Sequence, residues 1–234
     1  MFSAIAEWCK KNGTMPHGNN NYGADVGRPH EKGVPSSPLD GSGRVCRTAT
    51  GSGPSTWYHN YDMLGIADLN GNTWEWTSGL RLFDGEIQII PYGNAMKFDC
   101  NMSATSTEWK AIKADGTLVT PGSADTLKYD WVLGKITLSK SVTTRADAAR
   151  STNFESLGLE SGLTVPPMIK ALGLYPDGTG YEGDNVWINN SGERLPIRGG
   201  HWYYLAGSGV FALSLNGPRS FVSAGIGFRS AFYE

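Results

Sequence analysis

Two kinds of residue alternate between Arg198 and Ala231, and that alternation limits what the closing segment can be. Apolar anchors at Trp202, Val210, Phe211, Leu213, Leu215, Ile226 and Phe228 are interleaved with aromatic, small and polar residues at His201, Tyr203, Tyr204, Ser214, Gly217, Phe221 and Ala224. The pattern Phe211-Ala-Leu-Ser-Leu predicts a half-buried strand, because successive side chains of a strand point to opposite faces. Asn216-Gly-Pro then supplies a turn, since glycine tolerates positive φ and proline fixes its own. With anchors inward and their neighbours outward, the segment is a packed scaffold displaying an exchangeable face.

The residues that are missing sharpen this reading. Between Tyr203 and Gly227 there is no Lys, Glu, Gln, Met or Trp, where whole-chain composition leads one to expect roughly four. Those are the residues that no codon ending in C encodes. An Asn codon AAC randomised at its adenines becomes NNC, which yields only the other fifteen amino acids, and every outward residue here is one of them. The expected ligand face is His201, Tyr203, Tyr204, Leu205, Ser214, Asn216, Gly217, Phe221, Ser223, Ala224 and Gly225. Tyr and Phe offer contact area at small entropic cost, Ser and Asn offer adaptable hydrogen bonds, and Gly and Ala leave room. The plain alternative is an ordinary C-terminal sheet in which Tyr203, Tyr204 and Phe221 are buried.

Two blocks carry a family resemblance: Gly65-Ile-Ala-Asp-Leu-Asn-Gly-Asn-Thr-Trp-Glu-Trp-Thr-Ser, and Arg198-Gly-Gly-His-Trp running to Gly227-Phe-Arg-Ser-Ala. Together they resemble the formylglycine-generating-enzyme (sulfatase-modifying factor) branch of the C-type-lectin fold, and more closely the variable proteins of diversity-generating retroelements, of the phage tail-fibre or receptor-binding type. The likeness covers 65–81 and 197–232, extends to 2–18, and finds no motif in 86–190. It implies an α+β, C-type-lectin-like fold with sparse short strands, two or three helices and many loops. It also implies a non-enzymatic, hypervariable binder of a bacterial surface protein or glycan, working on a phage virion or, alternatively, as a variable lectin on a bacterial surface. A homo-oligomer is compatible with a fibre, although no coiled-coil segment enforces one. The enzymes of the branch hold copper and engage the substrate thiol through paired cysteines in the C-terminal part, whereas here no cysteine follows Cys100. The iron-binding histidine cluster of the ergothioneine-type relatives is also missing. An oxidase lacking the usual cysteines is therefore the runner-up reading. The stretch Asp68-Leu-Asn-Gly-Asn-Thr aligns with a calcium-binding segment of the enzyme branch, so Asp68 is a candidate ligand for a structural Ca2+, set against a turn held by Asp68 and Asn72 side chains. No other cofactor is required.

At 234 residues one domain spanning 1–234 is expected, because a split would separate the two blocks. Within it lie an inserted β-rich segment at about 84–160 and the variable region at about 198–231. Net charge is −2, and Lys and Arg are scattered, which argues against nucleic acid. No apolar stretch approaches the ~20 residues needed to cross a bilayer, and Glu7, Lys10 and Lys11 make the first residues unlike a signal peptide. Three cysteines, Cys9, Cys46 and Cys100, show no CxxC spacing and are expected to be reduced. Thirty-one Gly and eight Trp suit a loop-rich, aromatic-cored chain rather than a helical bundle.

Along the chain, 2–13 reads as a short amphipathic helix stopped by Gly13, and 15–56 as a long loop with room for one more short helix. Trp74-Glu-Trp76, 80–82, 86–90, 109–112 and 136–139 read as short strands, with Asp84-Gly85 a hairpin turn. The stretch 164–173 reads as a helix capped by Thr164 or a neighbour, with proline in its first turn and Gly173 stopping it. Other constellations are weak. Gly178-Thr-Gly-Tyr-Glu-Gly183 matches GxGxxG but stands among loop signals, not between strand and helix. His17, His30, His59 and His201 show no metal-helix spacing, no GxSxG elbow exists, and Glu75 between two tryptophans reads as a hydrogen-bonded structural group.

Overall fold

The computed structural model describes residues 1–229 and is a mixed α+β architecture of two mixed sheets, few short helices and many loops. Ser230 and Ala231, which close the expected variable region, lie outside the described residues. Helix α1 (Phe2–Asn12) ends on Gly13 at φ 67°, whose N–H returns to the Cys9 and Lys10 carbonyls. A loop region then runs to β1 (Trp74–Trp76), followed by β2 (Leu80–Phe83), β3 (Glu86–Ile89), β4 (Lys110–Ile112), β5 (Leu118–Val119), β6 (Lys128–Val132), β7 (Lys135–Ser139), β8 (Arg150–Asn153) and β9 (Gly158–Leu159). Helix α2 (Pro167–Ala171) precedes β10 (Asn185–Ile188), β11 (Glu193–Arg194), β12 (Ile197–Gly199), β13 (Gly209–Leu215) and β14 (Ile226–Gly227).

The six-stranded sheet has the order β14-β1-β12-β13-β10-β8, with β14 parallel to β1 and β10 parallel to β13. The other sheet runs β11-β2-β3-β6-β7-β9, with β4 paired to β3 and β5 paired to β4. Most strands of the segment 84–160 belong to this second sheet, which also takes β2 and β11 from outside it, while β8 belongs to the six-stranded sheet. One apolar core contains side chains of both sheets, among them Leu82, Ile87 and Ile136 from one and Val186, Phe211 and Leu213 from the other. The β2–β3 hairpin closes through Asp84 at φ 51° and Gly85 at φ 84°, the left-handed pair that a two-residue type I′ turn requires.

Strand β13 departs from expectation, for every residue from Gly209 to Leu215 is buried, not half of them. It is a central strand with both faces covered. Phe211, Leu213 and Leu215 enter the main core, where the Phe211 ring meets Tyr181 at 4.7 Å and Phe154 at 5.4 Å. Ala212 faces the other way, onto Trp74 and Ile197 with Trp187 and Tyr204 alongside. The alternation is real, but aromatic residues from elsewhere in the chain take the place of solvent on the second face.

Three further expectations are corrected. Phe228, taken as an inward anchor, is 80% exposed, because β14 ends at Gly227 on the sheet edge. Thr164 caps nothing: Pro166 stands at the N-cap of α2 without a side-chain hydrogen bond, and Pro167 opens the helix. The loop 15–56 gains no α-helix, and a single 3-10 turn, Ser55–Trp57, lies at its end. Buried Asn and Asp side chains order that loop. Asn19 joins the Cys46 carbonyl at 2.8 Å, Asn72 Oδ1 at 3.2 Å and the Gly23 N–H at 2.7 Å. Asp25 accepts from the N–H groups of Gly18, Gly27 and Arg28. Burial alone would raise the Asp25 carboxyl, but His17 and these N–H groups outweigh it and hold it below the usual range.

Deleting the Phe211 ring leaves a cavity between two aromatic neighbours, whereas the Phe228 ring already lies in solvent. Phe211→Ala is expected to lower unfolding free energy by about 3–5 kcal/mol and Phe228→Ala to change it by less than about 0.5 kcal/mol, both read from urea denaturation.

Candidate functional site

The second face of the six-stranded sheet ends in a cleft of about 150 Å³. Its base comes from neighbouring strands: Trp74 on β1, Ile197 on β12, Ser214 on β13 and Trp187 on β10. The β12–β13 loop adds His201, Tyr203 and Tyr204, and the chain from β13 to β14 adds Asn216, Phe221, Ser223 and Ile226. The pleat explains Ser214: it lies two residues beyond Ala212, on the same face of β13. No Asp, Glu, Lys or Arg is among the described residues that line it.

The rings hold one another. Trp74 and Trp187 meet edge to face at 5.4 Å, and Tyr204 contacts both, at 5.7 and 5.2 Å. Tyr203 lies 4.9 Å from Tyr204 and 4.3 Å from His201, so the aromatic surface runs continuously from sheet to rim. Beyond Tyr203 it reaches the N-terminal loop, where Tyr22 stacks at 6.3 Å and carries the Arg44 guanidinium 3.8 Å above its ring. Backbone bonds clamp the loops together: the Tyr22 N–H donates to the Trp202 carbonyl at 2.7 Å and the Leu205 N–H to the Asn20 carbonyl at 2.9 Å.

The residues expected on the ligand face divide into three groups. His201, Tyr203, Tyr204, Ser214, Asn216, Phe221 and Ser223 all line this cleft. Leu205 and Ala224 are exposed outside its lining. Gly217 and Gly225 are buried, and this corrects their assignment as outward positions. A Cβ at Gly225 would overlap the His201 ring, and one at Gly217 would press on Phe221 at 2.7 Å, so both are close-approach positions beneath the site. His201 and Ser214 are likewise buried, forming wall and floor where an exposed rim was expected. Tyr203 and Phe221 are 46% and 40% exposed and Tyr204 is half-buried, which is not the burial of an ordinary core sheet.

Trp74, Trp187, Ile197 and Ile226 were not among the expected face residues, nor was Tyr22. Trp187 had a signal: in Asn185-Val-Trp-Ile, Val186 and Ile188 enter the main core, so the pleat turns Trp187 to the opposite face. Tyr22 had none, because its place depends on how the long loop closes.

Elsewhere, Glu75 is a structural ion pair. Arg229 donates from Nε to both its oxygens, at 2.8 and 2.9 Å, and from Nη1 to the Ala67 carbonyl at 2.9 Å. Hydrogen bonds hold the Asp68 segment as a turn. One Asp68 oxygen accepts the Gly51 N–H at 2.7 Å, the Arg229 guanidinium contacts the Asp68 carbonyl, and Asn72 is spent on Thr48 and Asn19. The other Asp68 oxygen, Oδ1, is buried without a hydrogen-bond partner among the described residues. Burial raises the Asp68 carboxyl above its usual value. The GxGxxG loop at 178–183 leads into a strand, and the N–H groups of Gly180 and Tyr181 both donate to Glu155 Oε1, at 2.6 and 2.7 Å. The chain itself thus fills the anion position of that loop. All three cysteines are free, and none lines the cleft.

Desolvation pushes His201 down to about 4, so its imidazole is neutral at neutral pH. The unfolded chain, near 6.5, therefore takes up the proton first as pH falls. Stability from this group is complete above pH 6.5 and declines towards pH 4, by roughly 3 kcal/mol over the window. His201→Asn is expected to flatten that part of the curve of urea midpoint against pH. In a separate measurement, excess EDTA is expected to leave the melting temperature unchanged.

No protein-family model matches the chain and no curated relative does, so the chemistry of the cleft is read from its own geometry.

Proposed function

We propose that this protein is a non-enzymatic, hypervariable ligand-binding protein of C-type-lectin-like fold, formylglycine-generating-enzyme subtype, diversified by a retroelement. Its role would be that of a receptor-binding module, a phage tail-fibre adhesin carried on the virion that recognises a bacterial surface protein or glycan. The same mechanism would serve a variable lectin on a bacterial surface. One observation carries the reading: seven residues of the expected face, from two separate loops and β13 and all within the NNC alphabet, converge with residues of β1, β10, β12 and β14 on one aromatic cleft. The cleft lies on the opposite face of β13 from Phe211, Leu213 and Leu215, and its exposed side chains Tyr203 and Phe221 belong to neither core cluster, which supports a rim that can be exchanged while the main core stays intact. No nucleophile activated by a neighbouring base is found among the cleft residues, which favours binding over turnover.

The adjoining DNA tests the class. A near-copy of the codons for 201–225 that differs only where the copy has adenine, next to a reverse transcriptase gene, is the expected finding; a copy differing at random positions would sink the retroelement reading. At the protein level, Tyr203→Ala is expected to keep unfolding free energy within about 0.5 kcal/mol of the parent and to reduce retention on host cells at least tenfold. Equal losses of stability in Tyr203→Ala and Phe211→Ala would contradict the separation of roles.

A further inference from the structure

The cleft has a fixed part and an exchangeable part, and their chemistry narrows the ligand. Trp74 and Trp187 stand on β1 and β10, outside 201–225, and tryptophan is a residue that an NNC codon cannot supply. The floor therefore stays aromatic whatever the walls become. A constant floor suits a constant chemical element of the ligand, with the walls choosing among its variants.

That element is uncharged. With no Asp, Glu, Lys or Arg among the described residues of the lining, an ionic group entering among these rings would lose hydration and gain no counter-charge from them. It is also not a plain hydrocarbon. Ser214 and Asn216 present a hydroxyl and an amide to the same space. At about 150 Å³ the cleft is smaller than the ~300–1,000 Å³ of drug-sized sites, which limits the occupant to one ring.

We infer that the cleft is a metal-independent subsite for one neutral pyranose ring of a surface glycan, its C–H face on the Trp187 ring and its hydroxyls on Ser214 and Asn216. The assignment rests on the ligand-face reading above and goes beyond it by choosing saccharide over protein.

Saturation-transfer NMR on the full chain with methyl glycopyranosides of glucose, galactose, mannose and N-acetylglucosamine tests it, with tetramethylammonium and N-acetylleucinamide as the competing chemistries. At least one glycoside is expected to bind with a dissociation constant on the order of 1 mM, unaffected by EDTA, with saturation concentrated on the protons of one ring face. Asn216→Ala is expected to weaken it about tenfold, and Trp187→Leu to abolish it; should Trp187→Leu fail to fold, Asn216→Ala decides alone. Binding lost in EDTA, or unchanged in Asn216→Ala, would overturn the subsite. Response to tetramethylammonium or N-acetylleucinamide with none to the glycosides would overturn the saccharide and leave a ligand face standing. No response to any probe would remove both.

Discussion

Everything else in the molecule is arranged around a strand covered on both sides. β13 has no solvent face, so each of its residues must be apolar, tiny or matched to a specific neighbour, and its register is fixed by two layers at once. On one side Phe211 packs against Phe154 and Tyr181, while its N–H is taken by the Asp184 carboxylate at 2.7 Å. Desolvation raises that carboxyl well above the ordinary range, and the space it fills is available only because Gly209 has no side chain. On the other side Ala212 is small enough to let the tryptophan layer approach. The position of Ser214 in the cleft is then a consequence of strand geometry, needing no support of its own.

Much of this could be read from the residues. Apolar spacing and Gly13 defined α1, Asp84-Gly85 defined the hairpin, and the anchors Phe211, Leu213 and Leu215 are as deeply buried as their alternation required. Tyr203, Asn216 and Phe221 line one space but stand on loops outside β12, β13 and β14, where strand alternation does not set direction. What sequence could not supply was the identity of the opposing layer. Whether the even positions of β13 meet water or aromatic rings depends on where β1 and β10 pair with the sheet, and that pairing is set by contacts distant along the chain. The inward placement of Phe228 failed for a related reason: an apolar residue one position past a two-residue edge strand has nothing to pack against. Gly217 and Gly225 were read as open positions because a missing side chain looks the same in sequence whether it makes room for a ligand or for a neighbour.

The loop region between α1 and β1 shows how an apolar-poor segment is ordered. Its Asn and Asp side chains take the hydrogen bonds that strands would otherwise provide, and the residues that do so, Asn19, Asn20, Asp25, Asn70 and Asn72, are all nearly inaccessible. This polar scaffold sets Tyr22 and the Asn20 carbonyl against the β12–β13 loop, so that one wall of the cleft is braced from outside the closing segment. A mobile rim would pay the entropy of ordering at each encounter; a braced one has already been ordered by folding.

The crowded space beneath His201 has a further consequence. Because the imidazole occupies the volume where Gly225 would carry a side chain, the two positions cannot vary independently: any larger residue at 225 demands a smaller one at 201. The repertoire open to such a surface is therefore smaller than its genetic alphabet allows, with a boundary drawn by steric exclusion inside the protein before any target is met.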